Sequence, residues 1–283
     1  MTLALTTIPA SSGHARDVFV FLHGILGSGA NWRGFAKRLL ESLPDTEAWL
    51  VDLRLHGRST GFAPPHTVEA CANDLVELVS SRLGSGASGE GARVTRVLGH
   101  SFGGKVALAY AKTNPELERV FVVDSNPGPR PSGRGSETTL KVIELLGAAP
   151  PAYASREAFA EHFRAQGLEP GIVAWLGMNL VAGPNGEGFV FRIDLGAVHA
   201  LLDDYLFRDL FPVVEHAVEG SPTTFVFFAG ELSQTLDDDA RARLREDARV
   251  MPGRVALEVI PGAGHWVHVD APDALRKAIE AKL

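Results

Sequence analysis

The chain reads as an α/β protein: a mostly parallel, doubly wound sheet interrupted by one long, mostly helical insertion. Three observations carry this. Short continuous apolar runs recur along the chain, the pattern of strands buried on both faces of a parallel sheet. Amphipathic segments at helical spacing lie between them, as helices covering such a sheet must. The alternation stops after Asp124 and resumes at Thr223, so residues 1–124 and 223–283 read as one core and residues 125–222 as an insertion.

The elements follow in order. Residues 18–22 form the first clear strand, and a helix is expected over residues 31–43. Asn31 is its plausible cap, and Trp32, Phe35, Leu39 and Leu43 fall on one stripe. Residues 48–51 are the next strand. A long helix over residues 68–83 follows, capped by Thr67, and then a Gly/Ser-rich connector at residues 85–91. Strand 94–98, helix 102–113 and strand 119–123 complete the first flank. The insertion reads as helical pieces with one alternating run at residues 189–193. Strand 223–229, helix 237–247, strand 255–260 and helix 272–283 close the chain.

The chain's 283 residues are enough to bury a large core without disulfides. Composition is that of a globular protein, 45% hydrophobic and 22% charged, with a mean hydropathy of +0.06. A formal net charge of −7 and the lack of a basic stripe argue against nucleic-acid binding. The single cysteine, Cys71, allows no internal disulfide and reads as a small buried hydrophobe. Residues 1–10 do not have the pattern of a signal peptide, and no uncharged apolar stretch approaches 18 residues. A soluble cytoplasmic protein, monomeric or homodimeric, is the resulting expectation.

The sharpest local signal is Gly99-His100-Ser101-Phe102-Gly103, between an expected strand and an expected helix. A serine on so tight a strand-to-helix turn is pushed out above the sheet, and glycines two residues either side leave room for the turn. Such a hydroxyl is a weak nucleophile and needs a base. His265 lies in Pro261-Gly262-Ala263-Gly264-His265-Trp266, after the last strand, on the sheet edge that carries Ser101. His268 is the rival and reads as structural. His100 is expected to leave the turn on the opposite face. His23-Gly24-Ile25-Leu26-Gly27 follows the first clear strand, where a loop supplies one backbone donor of an oxyanion hole; the expected donors are the N–H groups of Phe102 and Ile25. His23 reads as a loop-shaping histidine, Asp52 and Arg54 as turn-fixing residues, and His56 as a solvated loop residue.

These segments resemble the α/β-hydrolase superfamily. The stretches Asp52-Leu53-Arg54-Leu55-His56-Gly57-Arg58-Ser59, Ser101-Phe102-Gly103-Gly104-Lys105-Val106 and His23-Gly24-Ile25-Leu26-Gly27-Ser28 are similar to one branch. That branch holds the small esterases and acyl-thioesterases of the YbfF type and their mitochondrial abhydrolase relatives. The resemblance covers residues 18–124 and 223–283 and implies the α/β-hydrolase fold. Many superfamily members carry their acid in Gly-x-x-Asp after the penultimate strand; here that position is Ser233. Asp124, at the end of the preceding strand, is close enough because neighbouring strands lie about 4.8 Å apart, and the branch is similar in using an acid there. Glu231 and the cluster Asp237, Asp238 and Asp239 stay open as alternatives, the cluster also reading as an acidic helix start.

The expected insertion of 98 residues is too long for a structureless loop and is expected to be a lid. Phe159, Phe163, Trp175, Met178, Tyr205 and Phe207 mostly build its own core, with Trp175, Met178, Tyr205 and Phe207, together with Trp266, the candidates to line a substrate pocket. Apolar lining suits a small-molecule ester or thioester with a hydrophobic acyl part. The expected reaction is hydrolysis through an acyl-enzyme, with Ser101, His265 and Asp124 in the triad roles. Other uses of the same residues are C–C bond hydrolysis, cofactor-free peroxidation or a lyase step; a non-catalytic receptor is the remaining alternative. No cofactor is expected, and His162, His199 and His216 lack the spacing of zinc ligands.

Overall fold

A computed structural model of the chain describes residues 1–84, 91–133, 135–215 and 223–283. The connector expected at residues 85–91, apart from Gly91, and His216 lie outside the described residues.

The first flank runs β1 (Leu5–Ile8), β2 (Asp17–Leu22), α1 (Arg33–Leu39), β3 (Thr46–Val51), α2 (Val68–Leu83), β4 (Arg93–His100), α3 (Phe102–Ala111) and β5 (Arg119–Val123). The insertion holds α4 (Glu137–Gly147), α5 (Arg156–Ala165), α6 (Pro170–Gly177), β6 (Leu180–Ala182), β7 (Phe189–Phe191), α7 (Leu195–Phe207) and α8 (Phe211–Glu215). The second flank is β8 (Thr224–Gly230), α9 (Asp238–Val250), β9 (Val255–Ile260), α10 (Val267–Asp270) and α11 (Pro272–Glu280).

Seven strands form one sheet in the order β1-β3-β2-β4-β5-β8-β9. Only the β1–β3 pair is antiparallel. The parallel strands are apolar on both faces because helices cover both. Val18, Val20, Val97 and Val122 face one cluster with α2 and α3; Phe19, Phe21, Leu98 and Phe121 face the other with α1 and α11. β5 and β8 are register neighbours, Val123 opposite Phe228, although the whole insertion separates them in sequence. The broken rhythm is therefore one continuous sheet with a segment looped out between two adjacent strands.

Local differences from the expected elements have simple causes. β1 lacks an apolar run because it is an edge strand with intermediate burial. The first helix is shorter than residues 31–43, with 3-10 turns at both ends. Ser28 rather than Asn31 begins it, and the Asn31 side chain accepts the Ser28 N–H at 2.7 Å. Thr67 does cap α2, accepting the Ala70 N–H at 3.0 Å, and Asp237 caps α9 through the Ala240 N–H at 2.9 Å.

The insertion rests on the core through a few buried polar ties. Lys105, on α3, is fully buried, and its ammonium donates to the carbonyls of Gly128, Tyr205 and Arg208 at 2.8, 2.7 and 2.6 Å. Asn179 donates to Leu26 O at 2.7 Å, and Asp204 accepts the Val68 N–H at 2.8 Å. No helix of the described residues is long and apolar enough to cross a membrane.

Candidate active site

The sheet delivers three side chains to one edge. Ser101 stands between β4 and α3 with φ 52° and ψ −118°, a left-handed φ that L residues rarely adopt. The strain is held by packing and hydrogen bonding. Ser101 N–H donates to Val123 O at 2.9 Å, so the neighbouring strand braces the turn. A Cβ on Gly99 would stand 2.0 Å from Gly103 O, and one on Gly103 would stand 2.6 Å from His23 O. Both positions need glycine because the chain crosses itself there.

Asp124 ends β5 and is also left-handed, φ 45°, with its N–H donating to Phe228 O at 2.7 Å. Its carboxylate is completely buried and fully engaged. Oδ1 accepts the Gly230 N–H at 3.0 Å, and Oδ2 accepts both the Ser233 hydroxyl at 2.5 Å and His265 Nδ1–H at 2.7 Å. The Ser233 hydroxyl thus steadies a carboxylate that ends the adjacent strand. Thr235 adds a second oxygen, 3.1 Å from His265 Nδ1, while its own hydroxyl donates to Gly135 O of the insertion at 3.0 Å. The carboxylate fixes the imidazole with Nδ1 protonated, which leaves Nε2 as the basic nitrogen.

The other acids are occupied elsewhere. Glu231 accepts the Gly262 N–H at 2.8 Å, and Asp237 is a helix cap that also accepts from Asn126 at 3.2 Å. Asp238 and Asp239 form the first turn of α9.

Two buried histidines shape the loop after β2. His23 Nε2 accepts the Leu53 N–H at 3.0 Å while Nδ1–H donates to Gly24 O at 2.7 Å. His56 Nε2 accepts the Leu26 N–H at 2.9 Å while Nδ1–H donates to Arg54 O at 2.9 Å. Each therefore sits as the neutral Nδ1–H tautomer. Burial pushes both below the ordinary histidine range, His56 to about 3. The expectation of a solvated His56 is corrected, since the ring is buried under the loop it organises. With Leu26 N–H consumed, the N–H groups of Ile25 and Phe102 have no acceptor among the described residues. Asp52 accepts from the N–H groups of Gly29 and Arg58 at 2.8 and 2.9 Å. Arg54 forms a buried bidentate pair with Asp74 at 2.6 and 2.8 Å.

His100 does not leave the turn on the opposite face. Its Nε2–H donates to His265 O at 2.9 Å, and its ring lies 4.8 Å from that of His265. β4 stays in register through His100, so strand alternation puts its ring on the face of Leu98, where Trp32 and the loop carrying His265 and His268 also pack. His268 packs 4.5 Å from Trp32 and 4.8 Å from His100. Burial first, and then the His265 charge, lowers its pKa to about 4.

Ser101 and His265 line one cavity of about 280 Å³. Ile25, Trp32, Ile172, Trp175, Trp266 and Val269 supply its apolar wall. Of the five pocket candidates, Trp175 and Trp266 border this cavity, their rings edge to face at 6.1 Å. Three belong elsewhere. Tyr205 is buried against Phe102, Lys105 and Arg130; Phe207 is 65% exposed; Met178 is 48% exposed beside Asn31. Aromatic content alone does not say which side of a helix faces a pocket. Among the described residues no group of His, Cys, Asp and Glu could hold a metal ion.

Comparison with known proteins identifies relatives of the chain. The model of the alpha/beta hydrolase family matches residues 19–278. The sn-1-specific diacylglycerol lipase ABHD11 of Mus musculus is 30% identical over 268 residues, covering 93% of this chain and 80% of that protein. Esterase YbfF of Escherichia coli (strain K12) is 25% identical over 285 residues, covering 100% and 99%. The structure of a marine microorganism esterase superposes with a TM-score of 0.79 at 23% identity, covering 100% of this chain and 99% of that one, which speaks for the fold.

Proposed function

The chain belongs to the alpha/beta hydrolase family, and from that premise we propose that it is a serine hydrolase of carboxylic esters or thioesters working through an acyl-enzyme. The observation that carries the reading is the 2.7 Å bond from His265 Nδ1 to a fully buried Asp124, with Ser101 on a strained turn beside the same cavity.

In this reading Ser101 Oγ attacks the carbonyl carbon while His265 Nε2 takes its proton. The oxyanion is held by the N–H groups of Phe102 and Ile25, the first of them at the N-terminus of α3, where the helix dipole adds to the field. Asp124 keeps the imidazole in one tautomer and stabilises the imidazolium. His265 then gives the proton to the leaving alcohol or thiol. Water attacks the acyl-Ser101 ester by the same route, and the acid is released. The insertion acts as the lid, its Trp175 and Ile172 forming one wall over the acyl group. The names of the diacylglycerol lipase and esterase relatives support ester substrates with hydrophobic parts.

A fluorophosphonate probe tests the assignment. The protein should be labelled and Ser101→Ala should not, and Ser101→Ala should lose hydrolysis of nitrophenyl esters. Equal labelling of the two would overturn it.

A further inference from the structure

We propose that this site selects substrates by charge, taking esters and thioesters that are neutral or cationic and turning away those that carry phosphate or carboxylate, coenzyme A thioesters among them. The inference rests on the hydrolase reading above.

It follows from what lines the cavity. Among its described lining residues none is Lys or Arg, and the two ordinarily charged ones are carboxylates, Glu169 and Asp270. Both are exposed at the rim. Asp270 already accepts the Gly264 N–H at 2.9 Å, and neither carboxylate is paired with a cation among the described residues.

Deeper in, three imidazoles besides that of His265 line the wall, those of His23, His100 and His268. They are neutral at ordinary pH, because burial holds each below the usual histidine range. The remaining wall is largely apolar, Trp175, Trp266 and Ile172 among it. The unpaired N–H groups of Phe102 and Ile25 are committed to the carbonyl oxygen. An anion inside the cavity therefore loses water and gains no Lys or Arg counter-ion among the described residues, a net loss. An anion left at the rim meets the field of two exposed carboxylates, Glu169 and Asp270, a repulsion that salt screens. An ammonium group meets the reverse: carboxylates at the rim and the indole rings of Trp175 and Trp266 in the wall, a combination that attracts cations.

The experiment compares butyryl thioesters of coenzyme A and of N-acetylcysteamine, which share the acyl group and the scissile bond but not the phosphates. Butyrylcholine is the cationic ester. The neutral thioester should have a kcat/KM at least tenfold above that of the coenzyme A thioester at low salt. Butyrylcholine should be turned over at least as well as the neutral butyrate ester of 3,3-dimethylbutanol. The gap between the two thioesters should shrink severalfold in 0.5 M salt and in the Glu169→Gln/Asp270→Asn double variant. A coenzyme A thioester cleaved as well as or better than the neutral one overturns the proposal, as does a gap that neither salt nor the double variant changes. The hydrolase reading is judged separately. If the probe labels Ser101 while coenzyme A is preferred, only charge selection fails; if Ser101 is not labelled and no ester is cleaved, both fail.

Discussion

The sheet core and the insertion meet at the same cavity but contribute to it in different ways. The core places atoms through backbone geometry. Ser101 and Asp124 sit at adjacent strand ends in left-handed conformations, each pinned by a hydrogen bond to the next strand, so the spacing of the sheet fixes the distance between them. The insertion contributes side-chain surface. Trp175 and Ile172 cover the cavity from α6, and their positions depend on how the whole segment is seated. Its own core, built on Phe159, Phe163, Val173 and Leu176, holds the helices together without specifying where they rest. That placement comes from a few buried ties, chiefly Lys105, Asn179 and Thr235. Chemistry should therefore fail when the core is altered, and substrate binding should fail when the insertion is.

The largest expected effect is in the core. Asp124→Asn should lower kcat by about 10³–10⁴-fold with little change in KM, because the imidazole loses its tautomer and its counter-charge. Steady-state kinetics on a neutral nitrophenyl ester checks this, and near-normal kcat would move the acid role away from Asp124.

Next comes Lys105→Met, which leaves three buried carbonyls without a donor. Urea unfolding should show a loss of about 2–4 kcal/mol. If the core and insertion unfold together, one transition moves; if Lys105 mainly seats the insertion, a separate early transition appears.

Acid should act on the core loops. His56 and His268 are held neutral in the folded protein down to pKa values of about 3 and 4, whereas unfolded histidines titrate near 6.5. Between those limits the unfolded chain binds more protons, so stability is present above pH 6.5 and is lost as the pH falls toward 4. A urea midpoint that stays flat from pH 7 to pH 4.5 would contradict this.

Smaller is Thr235→Val, which removes the oxygen beside His265 Nδ1 and the bond to Gly135. A fall in kcat of about tenfold is expected, on the scale of one hydrogen bond to a charged group, with Thr235→Ser close to normal. A rise in KM alone would assign Thr235 to seating the insertion. Smallest is Trp175→Ala, which should raise KM by roughly threefold to tenfold and leave kcat nearly intact, the effect of losing apolar cover at a pocket wall.

What was legible in the sequence divides along the same line. β2, β4, β5, β8 and β9 and the Ser101 turn are readable because their signals are local: an apolar run, a glycine spacing, a strand leading into a helix. Asp124 is readable as a candidate because it directly follows such a run and because the branch that the chain resembles uses an acid there. Ser233 and Thr235 are not, since a hydroxyl becomes part of the site only when β8 lies beside β5, 109 residues away in the case of Ser233 and Asp124. Lys105 carried a signal that pattern reading passed over. It is the one charged residue in a helix whose residues are otherwise apolar or small, Phe102–Ala111, and every position of that helix is buried. A lysine with no solvent face needs buried acceptors. Met178, Tyr205 and Phe207 could not be sorted, because hydrophobicity does not distinguish a helix's own core, its seat on the sheet and the cavity wall.

The chain order of the site has a consequence for biosynthesis. Ser101 and Asp124 precede the insertion, whereas His265 comes 141 residues after Asp124. At 5–20 residues per second the ribosome needs roughly 7–28 s to cover that distance. During that interval the nascent chain holds Ser101 without His265, and the insertion has no β8 or β9 to rest beside. If Ser101 is the nucleophile as proposed, it is chemically silent until the last strands join the sheet, and completing the fold is also the step that switches it on.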